Sequence, residues 1–412
     1  MKSTFKKISP LSWVFCVVYG LFVFSIPVFS YRNKLYLVTW VLAILLIGIV
    51  VVDVLFVKKK FFVDVVILSL ISFCVLAVIS SALNRLKGFG FTPLLLCSLS
   101  IFIYQYLKQN KDLRTELLFT VSLIALIAFL FVFIAVYHEK IFHLDFSTRL
   151  GRELGDENDI AIANAMGLTL SLYFLLFRKG VFAKIASAIL IILFGVCGLA
   201  SGSKTFILLV AVVFVFLIAY KNGKKRLWLT LVMLGVFLAA AILIFSIPRF
   251  SIIKERFLSF ISTLTGISFG NVSGYDLSTM FRMNMFRNGI QMFLRKPLFG
   301  FGIDGFSVYG GMNEGWSHNH FSESLCDYGL LGTIAFHLPM AASGILLKKK
   351  SSHSRLRPAL MMVFFITCMS SIALFSAKLF SLFSPITYVA VEYHRFEFSL
   401  RLKKGHVNNE IC

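Results

Sequence analysis

The chain has 412 residues, of which 58% are hydrophobic and only 15% charged, and its mean hydropathy is +0.87. Soluble domains carry roughly 25% charged residues, so this balance excludes a soluble globular domain. The formal net charge of +22 would suit a nucleic-acid partner, but its distribution along the chain says otherwise.

A bilayer crossing needs about 20 consecutive apolar residues. Such runs occur near 11–29, 35–57, 61–83, 88–107, 115–137, 159–177, 181–200, 205–220 and 227–247, and again near 321–347, 358–376 and 379–393. The last is short and contains Pro385, which leaves a count of about ten to twelve spans. The expected fold class is therefore all-α: a polytopic membrane protein forming a single domain over 1–412, with one large outer loop at 248–320. The Lys-rich start leads into an apolar run without a small-residue cleavage site, so 11–29 is read as a retained first span.

With the N-terminus inside, basic residues fall on alternate loops. Lys2, Lys6 and Lys7, Lys58 to Lys60, Lys108, Lys111 and Arg114, Arg178, Lys179 and Lys184, Lys221 to Arg226, Lys348 to Arg357 and Arg395 to Lys404 mark the inner ones. The short intervening loops hold only Arg32, Lys34, Arg85, Lys87, Lys204 and Lys378. This is the positive-inside asymmetry, so the excess charge is a topology signal and requires no nucleic acid. Acidic residues gather at the outer face, from Asp145 to Asp159 and from Glu255 to Asp327, together with Arg149, Arg152, Arg249, Arg256, Arg282, Arg287, Arg295 and Lys296. The outer side has the mixed charge of a site, the inner side that of a rim. Of the seven cysteines, none has zinc-like spacing, and those in the spans read as small buried apolar residues.

Two outer segments break the rhythm of spans. The first, 138–157, leads into Arg149-Leu-Gly-Arg152-Glu153-Leu-Gly-Asp156-Glu157-Asn158-Asp159. Its arginines and acids suit sugar hydroxyls and phosphate together, while Asp156 or Asn158 would equally serve as N-cap of the next span. The second is the 248–320 loop. Within it, residues 278–296 pattern as an interfacial helix with an apolar stripe of Phe281, Met285, Phe286, Ile290 and Phe293. Pro297 ends that helix, and Gly300, Gly302 and Gly305 supply turns.

Four constellations carry chemistry. His318 and Asn319 stand at the outer end of a span, and Asn319 and Glu323 share a helix face at i, i+4. An imidazole titrates near neutrality and can take a proton from a sugar hydroxyl. The alternative is that His318 and His320 are interfacial caps, and no further Cys or His is spaced to complete a metal site. Arg282 opens the interfacial helix with a guanidinium that matches phosphate, although any outer arginine can meet a lipid headgroup. Ser201-Gly202-Ser203-Lys204-Thr205 is a tight polar turn before a helix N-terminus, a natural anion site, and Lys204 would otherwise snorkel to the interface. The Arg149 to Asp159 segment is the fourth.

In this order the segments resemble the O-antigen ligase / Wzy polymerase superfamily of bacterial envelope glycosyltransferases. The likeness rests on Arg152 to Asn158, on Ser201-Gly202-Ser203-Lys204, on Arg282 followed by Lys296-Pro297-Leu298-Phe299-Gly300-Phe301-Gly302, and on Ser317-His318-Asn319-His320-Phe321-Ser322-Glu323 followed by Gly329-Leu330-Leu331-Gly332. It spans roughly residues 149–340. The resemblance implies a GT-C-like membrane enzyme, without metal or cofactor, in the cytoplasmic (inner) membrane with its site facing outward. Its donor would be a glycan on undecaprenyl pyrophosphate and its acceptor a glycan or a lipid-linked unit. Membrane lipids, a chain-length regulator and a flippase would be its partners. Arg282 and Lys204 would bind pyrophosphate, and His318 would orient or deprotonate the acceptor hydroxyl. Arg149, Arg152, Asp156, Asn158, Asn319 and Glu323 are further candidates for substrate binding. The turn departs from the family pattern by carrying Lys204 in place of arginine, which keeps the charge and loses the bidentate fork. The acidic segment and the Lys-bearing turn look more like polymerases than like ligases that act on lipid A-core. A transporter for the same glycans is the reading from another class, but transporters place ionisable groups at mid-membrane and show repeated halves, and neither pattern is evident here.

Overall fold

A computed structural model describes residues 9–29, 35–85, 90–110, 116–143, 148–151, 153–154, 157–177, 180–203, 205–207, 209–210, 235, 246, 251–265, 277–310, 317–345 and 398–401. Its helices are α1 (Pro10–Val28), α2 (Tyr36–Val52), α3 (Val65–Leu83), α4 (Thr92–Gln109), α5 (Glu116–Val136), α6 (His138–Phe142), α7 (Glu157–Phe177), α8 (Val181–Ala200), α9 (Ser251–Thr265), α10 (Leu277–Arg295), α11 (Gly305–Tyr309) and α12 (His320–Ile345). The end of α2 widens into a π-helical turn, Asp53–Lys58.

Six helices among the described residues are long and apolar enough to cross a membrane: α1, α2 with its π turn, α3, α5, α7 and α8. They form at six of the predicted runs. Because lipid offers no hydrogen bonds, hydroxyls in such helices turn back onto their own backbone. Ser122 donates to Leu118 O at 2.6 Å, Thr169 to Ala165 O at 2.7 Å and Ser171 to Gly167 O at 2.7 Å. The most enclosed of the six is α7. It packs on α8 where Gly167 leaves room for the Phe194 ring, the close approach that small residues permit between membrane helices.

The run at 88–107 forms α4, whose last turns carry Tyr104, Gln105, Tyr106 and Lys108 and fasten the end of the bundle where α3 begins. Asp64 caps α3 by accepting from Ile67 N at 3.0 Å, and it also accepts from Tyr104 Oη at 2.7 Å and Lys108 Nζ at 2.5 Å. Asn110 Nδ2 donates to Asp53 at 3.0 Å. The short strand β1 (Lys60–Val63) pairs antiparallel with β2 (Phe398–Arg401), Lys60 opposite Arg401. Two basic segments far apart in sequence thus meet. Phe62 N also donates to the Gln105 side chain at 3.1 Å. The runs at 227–247, 358–376 and 379–393, and most of 205–220, lie outside the described residues.

One predicted span takes a different form. The run at 321–347 was expected to be a straight crossing, but α12 is a helical hairpin. Gly329 has φ +64° and ψ −168°, and the helix reverses there. Ser324 Oγ lies 2.8 Å from Thr333 Oγ1, and His320 Nε2 lies 2.8 Å from His337 Nε2. Side chains 9 and 17 residues apart would stand about 13 and 25 Å apart on a straight helix. Residues 320–328 are therefore one arm, and residues 330–345 return antiparallel to it. The second arm lies along α3, with Ser69 Oγ donating to Ala335 O at 2.6 Å, and the end of the first arm meets α3 through Ser80 Oγ, which donates to Asp327 O at 3.0 Å.

Candidate active site

The reversal at Gly329 is held by the segment after α10. Pro297 to Gly302 crosses the reversal as a strap that opens with a turn (Gly300 N to Lys296 O, 3.0 Å), with Phe301 N donating to Cys326 O (2.9 Å), Gly302 N to Asp327 O (2.8 Å) and Leu330 N to Pro297 O (2.8 Å). These bonds satisfy backbone groups that the break in the helix would leave unpaired. The strap is anchored in turn on the C-terminal end of α3. Asn84 Nδ2 donates to Gly300 O at 3.1 Å, Ile303 N donates to Ser81 Oγ at 2.9 Å, and Lys296 Nζ bonds Asn84 Oδ1. Gly300 and Gly302 have φ of +68° and +92°, so the expected turns are present. A Cβ on Gly302 would fall 2.8 Å from the Ser81 Cα, which demands glycine here. Asp327 is buried and accepts from Phe306 N at 2.7 Å, holding α11 against the hairpin. Asp304, before α11, is also left-handed at φ +57°. Partial burial pushes its carboxyl above the usual range, opposed by a hydrogen bond from the Gly90 backbone.

The predicted helix forms as α10, and the face it packs on the protein is offset from the apolar stripe. Met285, Gly289 and Met292 are buried, whereas Phe281 and Phe286 are exposed. The reason is close packing on the first arm of α12. A Cβ on Gly289 would fall 3.0 Å from Ser322 Cβ, and Met292 Sδ lies 3.8 Å from Cys326 Sγ. Contacts advance in the same direction along both helices, so α10 and the first arm are parallel. Arg282 lies two turns before Gly289, about 10 Å along the axis, and His318 lies just before the arm begins. Both half-buried side chains therefore belong to the same end of this helix pair.

The turn at that end is held by its own side chains. His318 adopts φ +53°, a conformation that is uncommon away from glycine and costs about 1–3 kcal/mol. Asn319 caps the arm, its Oδ1 accepting from Phe321 N at 3.1 Å and Ser322 N at 3.2 Å. Glu323 is buried and accepts from Ser317 N at 2.9 Å and Ser317 Oγ at 3.1 Å. Ser322 Oγ lies 3.1 Å from Ser317 Oγ. The cap is thus Asn319 rather than either neighbouring histidine, and Asn319 and Glu323 act on the turn that presents His318. His320 is buried against His337, Phe321 and Phe336.

A second outer cluster joins the other two segments. Leu150 N donates to Ala200 O at 3.0 Å and Arg149 Nε to Ser201 O at 3.1 Å, while Arg149 Nη1 lies 3.9 Å from Glu157. Ser203 Oγ bonds Asn158 Oδ1 at 3.1 Å. Gly202 has φ +62°, and a Cβ there would fall 2.9 Å from Arg149 Cγ. The acidic segment and the Ser-Gly-Ser turn are thus brought together, with Arg149 and Asn158 as clamps between them. Arg152, Asp156 and Lys204 lie outside the described residues.

Sequence reasoning passed over Ser317 and Ser322, which set the turn, Ser80, Ser81 and Asn84, which anchor the strap, and His337, the partner of His320. Polar residues crowded into the last turn of an apolar span, and a histidine within one, were the available signals.

No curated protein matches the chain. Residues 186–337 match the family model described as O-antigen ligase. That segment takes in the Ser-Gly-Ser turn, α10, the strap, the His318 turn and the hairpin as far as His337, and over it the chain is similar to the O-antigen ligase family.

Proposed function

We propose that the protein polymerises undecaprenyl-pyrophosphate-linked repeat units on the outer face of the cytoplasmic membrane, without a metal ion. The observation that carries this reading is the placement of Arg282 and His318 at the same end of two parallel helices. His318 accepts the proton of the acceptor hydroxyl as that oxygen bonds the anomeric carbon of the donor glycan. The bond from that carbon to the pyrophosphate oxygen breaks, and the leaving group departs as undecaprenyl pyrophosphate. Arg282, with Lys204 from the second cluster, neutralises the charge that develops on it. Asn319 and Glu323 serve as positioning residues for His318, and Arg149 and Asn158 hold the Ser201-Gly202-Ser203 turn. Arg152 and Asp156 remain proposed contacts to the sugar.

The test is glycan synthesis in a strain deleted for this gene and complemented with variants. His318→Ala and Arg282→Ala should each abolish chain extension while the protein still accumulates in the membrane. Native chain length with both variants would defeat the enzymatic reading. The description of the matched family favours a second reading, transfer of the finished glycan to lipid A-core or another acceptor. The deletion strain separates the two: a single repeat unit on the final acceptor indicates a polymerase, and long chains retained on undecaprenyl lipid indicate a ligase.

A further inference from the structure

We propose that His337 is a positioning residue for His318, acting through the buried contact with His320 that sets the register of the helical hairpin. The inference rests on the reading of His318 as the group that meets the acceptor hydroxyl.

The hydrogen-bond direction follows from the partners. His337 Nδ1 lies 2.7 Å from Thr333 O, and a carbonyl oxygen only accepts, so Nδ1 carries the proton. His337 Nε2 is then an acceptor. His320 Nε2, 2.8 Å away, must be the donor. The chain from Thr333 O through His337 to His320 thus runs in one direction, with both rings neutral.

Two imidazoles are an odd choice for an apolar contact. His320 is fully buried, and the surrounding Phe321 and Phe336 rings show that aromatic carbon packs well there. What a nitrogen pair adds is specificity of register, the best-attested use of buried polar contacts between helices. Apolar arms can slide or rotate past each other at little cost. A slide of one residue, about 1.5 Å along the axis, breaks a 2.8 Å bond. Ser324 and Thr333 form a second rung nearer the turn. The His320–His337 rung is the farther of the two from the Gly329 reversal and stands two residues from His318, so it fixes where the Ser317-His318-Asn319 turn lies relative to α10 and Arg282.

The experiment is steady-state transfer by the purified full chain in detergent, using an undecaprenyl-pyrophosphate-linked oligosaccharide as donor. His337→Phe keeps the ring and removes the acceptor. It should lower kcat about tenfold or more with the donor KM nearly unchanged, the signature of a misplaced group outside the binding contacts. His337→Gln, which can still accept from His320, should recover most of kcat. Pairing His337→Phe with Ser324→Cys and Thr333→Cys supplies a covalent rung in place of the lost bond, and oxidation should restore kcat. That triple variant is also read if His337→Phe alone fails to accumulate. Native kcat in His337→Phe, or a cross-linked triple variant that is folded and as slow as its reduced form, would overturn the proposal. His318→Ala run beside them keeps the two readings apart: if it is fully active the enzymatic assignment fails, whereas loss there with a native His337→Phe sinks only this inference.

Discussion

Glu323 accepts both the backbone N–H and the hydroxyl of Ser317, at 2.9 and 3.1 Å, and this two-point hold bends the chain into the left-handed conformation of His318. A carboxylate one turn inside a helix thereby sets the direction of a histidine outside it. Glu323→Ala leaves the buried Ser317 N–H unpaired, a loss of about 1–3 kcal/mol at most, while Ser317 Oγ keeps Asn319 O at 2.7 Å, and it frees His318 to relax to a commoner conformation. The expected result is a fall in kcat of about ten- to hundredfold with a small change in donor KM. Glu323→Gln, which retains an acceptor oxygen, should lie between the two. A native kcat in a folded Glu323→Ala would show that the turn is held by other means.

The hairpin depends on Gly329. A Cβ there would fall 2.3 Å from Leu298 O on the strap, and its φ is +64°. Gly329→Ala therefore combines left-handed strain of about 1–2 kcal/mol with displacement of the strap. The variant should unfold at a clearly lower temperature in detergent micelles and lose transfer activity. An unchanged unfolding midpoint would contradict the fold-back geometry.

At the opposite end of the bundle, Lys108 and Asp64 form a nearly enclosed pair, their side chains 13% and 1% exposed. Removing one member of a buried pair costs about 3–5 kcal/mol because the other charge is left stranded. Lys108→Ala should destabilise toward the lower part of that range, since Tyr104 and Ile67 N still bond Asp64. Adding Asp64→Asn should recover much of the loss. Denaturant unfolding of the two variants measures both effects, and equal stability of Lys108→Ala and wild type would remove this pair from the account.

Asp304 gives the pH dependence a sign. Its folded-state pKa lies above the ordinary carboxylate value, so the folded chain holds this proton more tightly than the unfolded one. The stability it contributes is full below the unfolded value of about 4 and is lost as pH rises through the higher folded value. Asp304→Asn removes the charge and tolerates the left-handed backbone. It should stabilise the protein slightly at neutral pH, by less than about 1 kcal/mol for a half-exposed group, and the gain should vanish toward pH 4. A gain that grew on acidification would reverse the assignment.

The apolar runs, their lengths and the alternation of basic loops already specify a polytopic α-helical membrane protein, because the bilayer imposes length and satisfied backbone on every span. The candidate residues His318, Arg282 and the Ser-Gly-Ser turn were equally legible, being polar groups where lipid and topology required none. Periodicity misjudged the 321–347 run and did not reveal which face of α10 packs on the protein. An apolar helix that reverses has the same composition as one that continues, and only a strap donating to Cys326 O and Asp327 O makes reversal at Gly329 favourable. Likewise the Phe281 and Phe286 stripe is the more hydrophobic face of α10, yet Gly289 and the two methionines fit the first arm closely. Which histidine is buried and which is presented was settled by contacts between residues 6 to 17 positions apart. The longest of them, His320 to His337, exists only once the hairpin has closed, and for that reason no local pattern in the sequence encodes it.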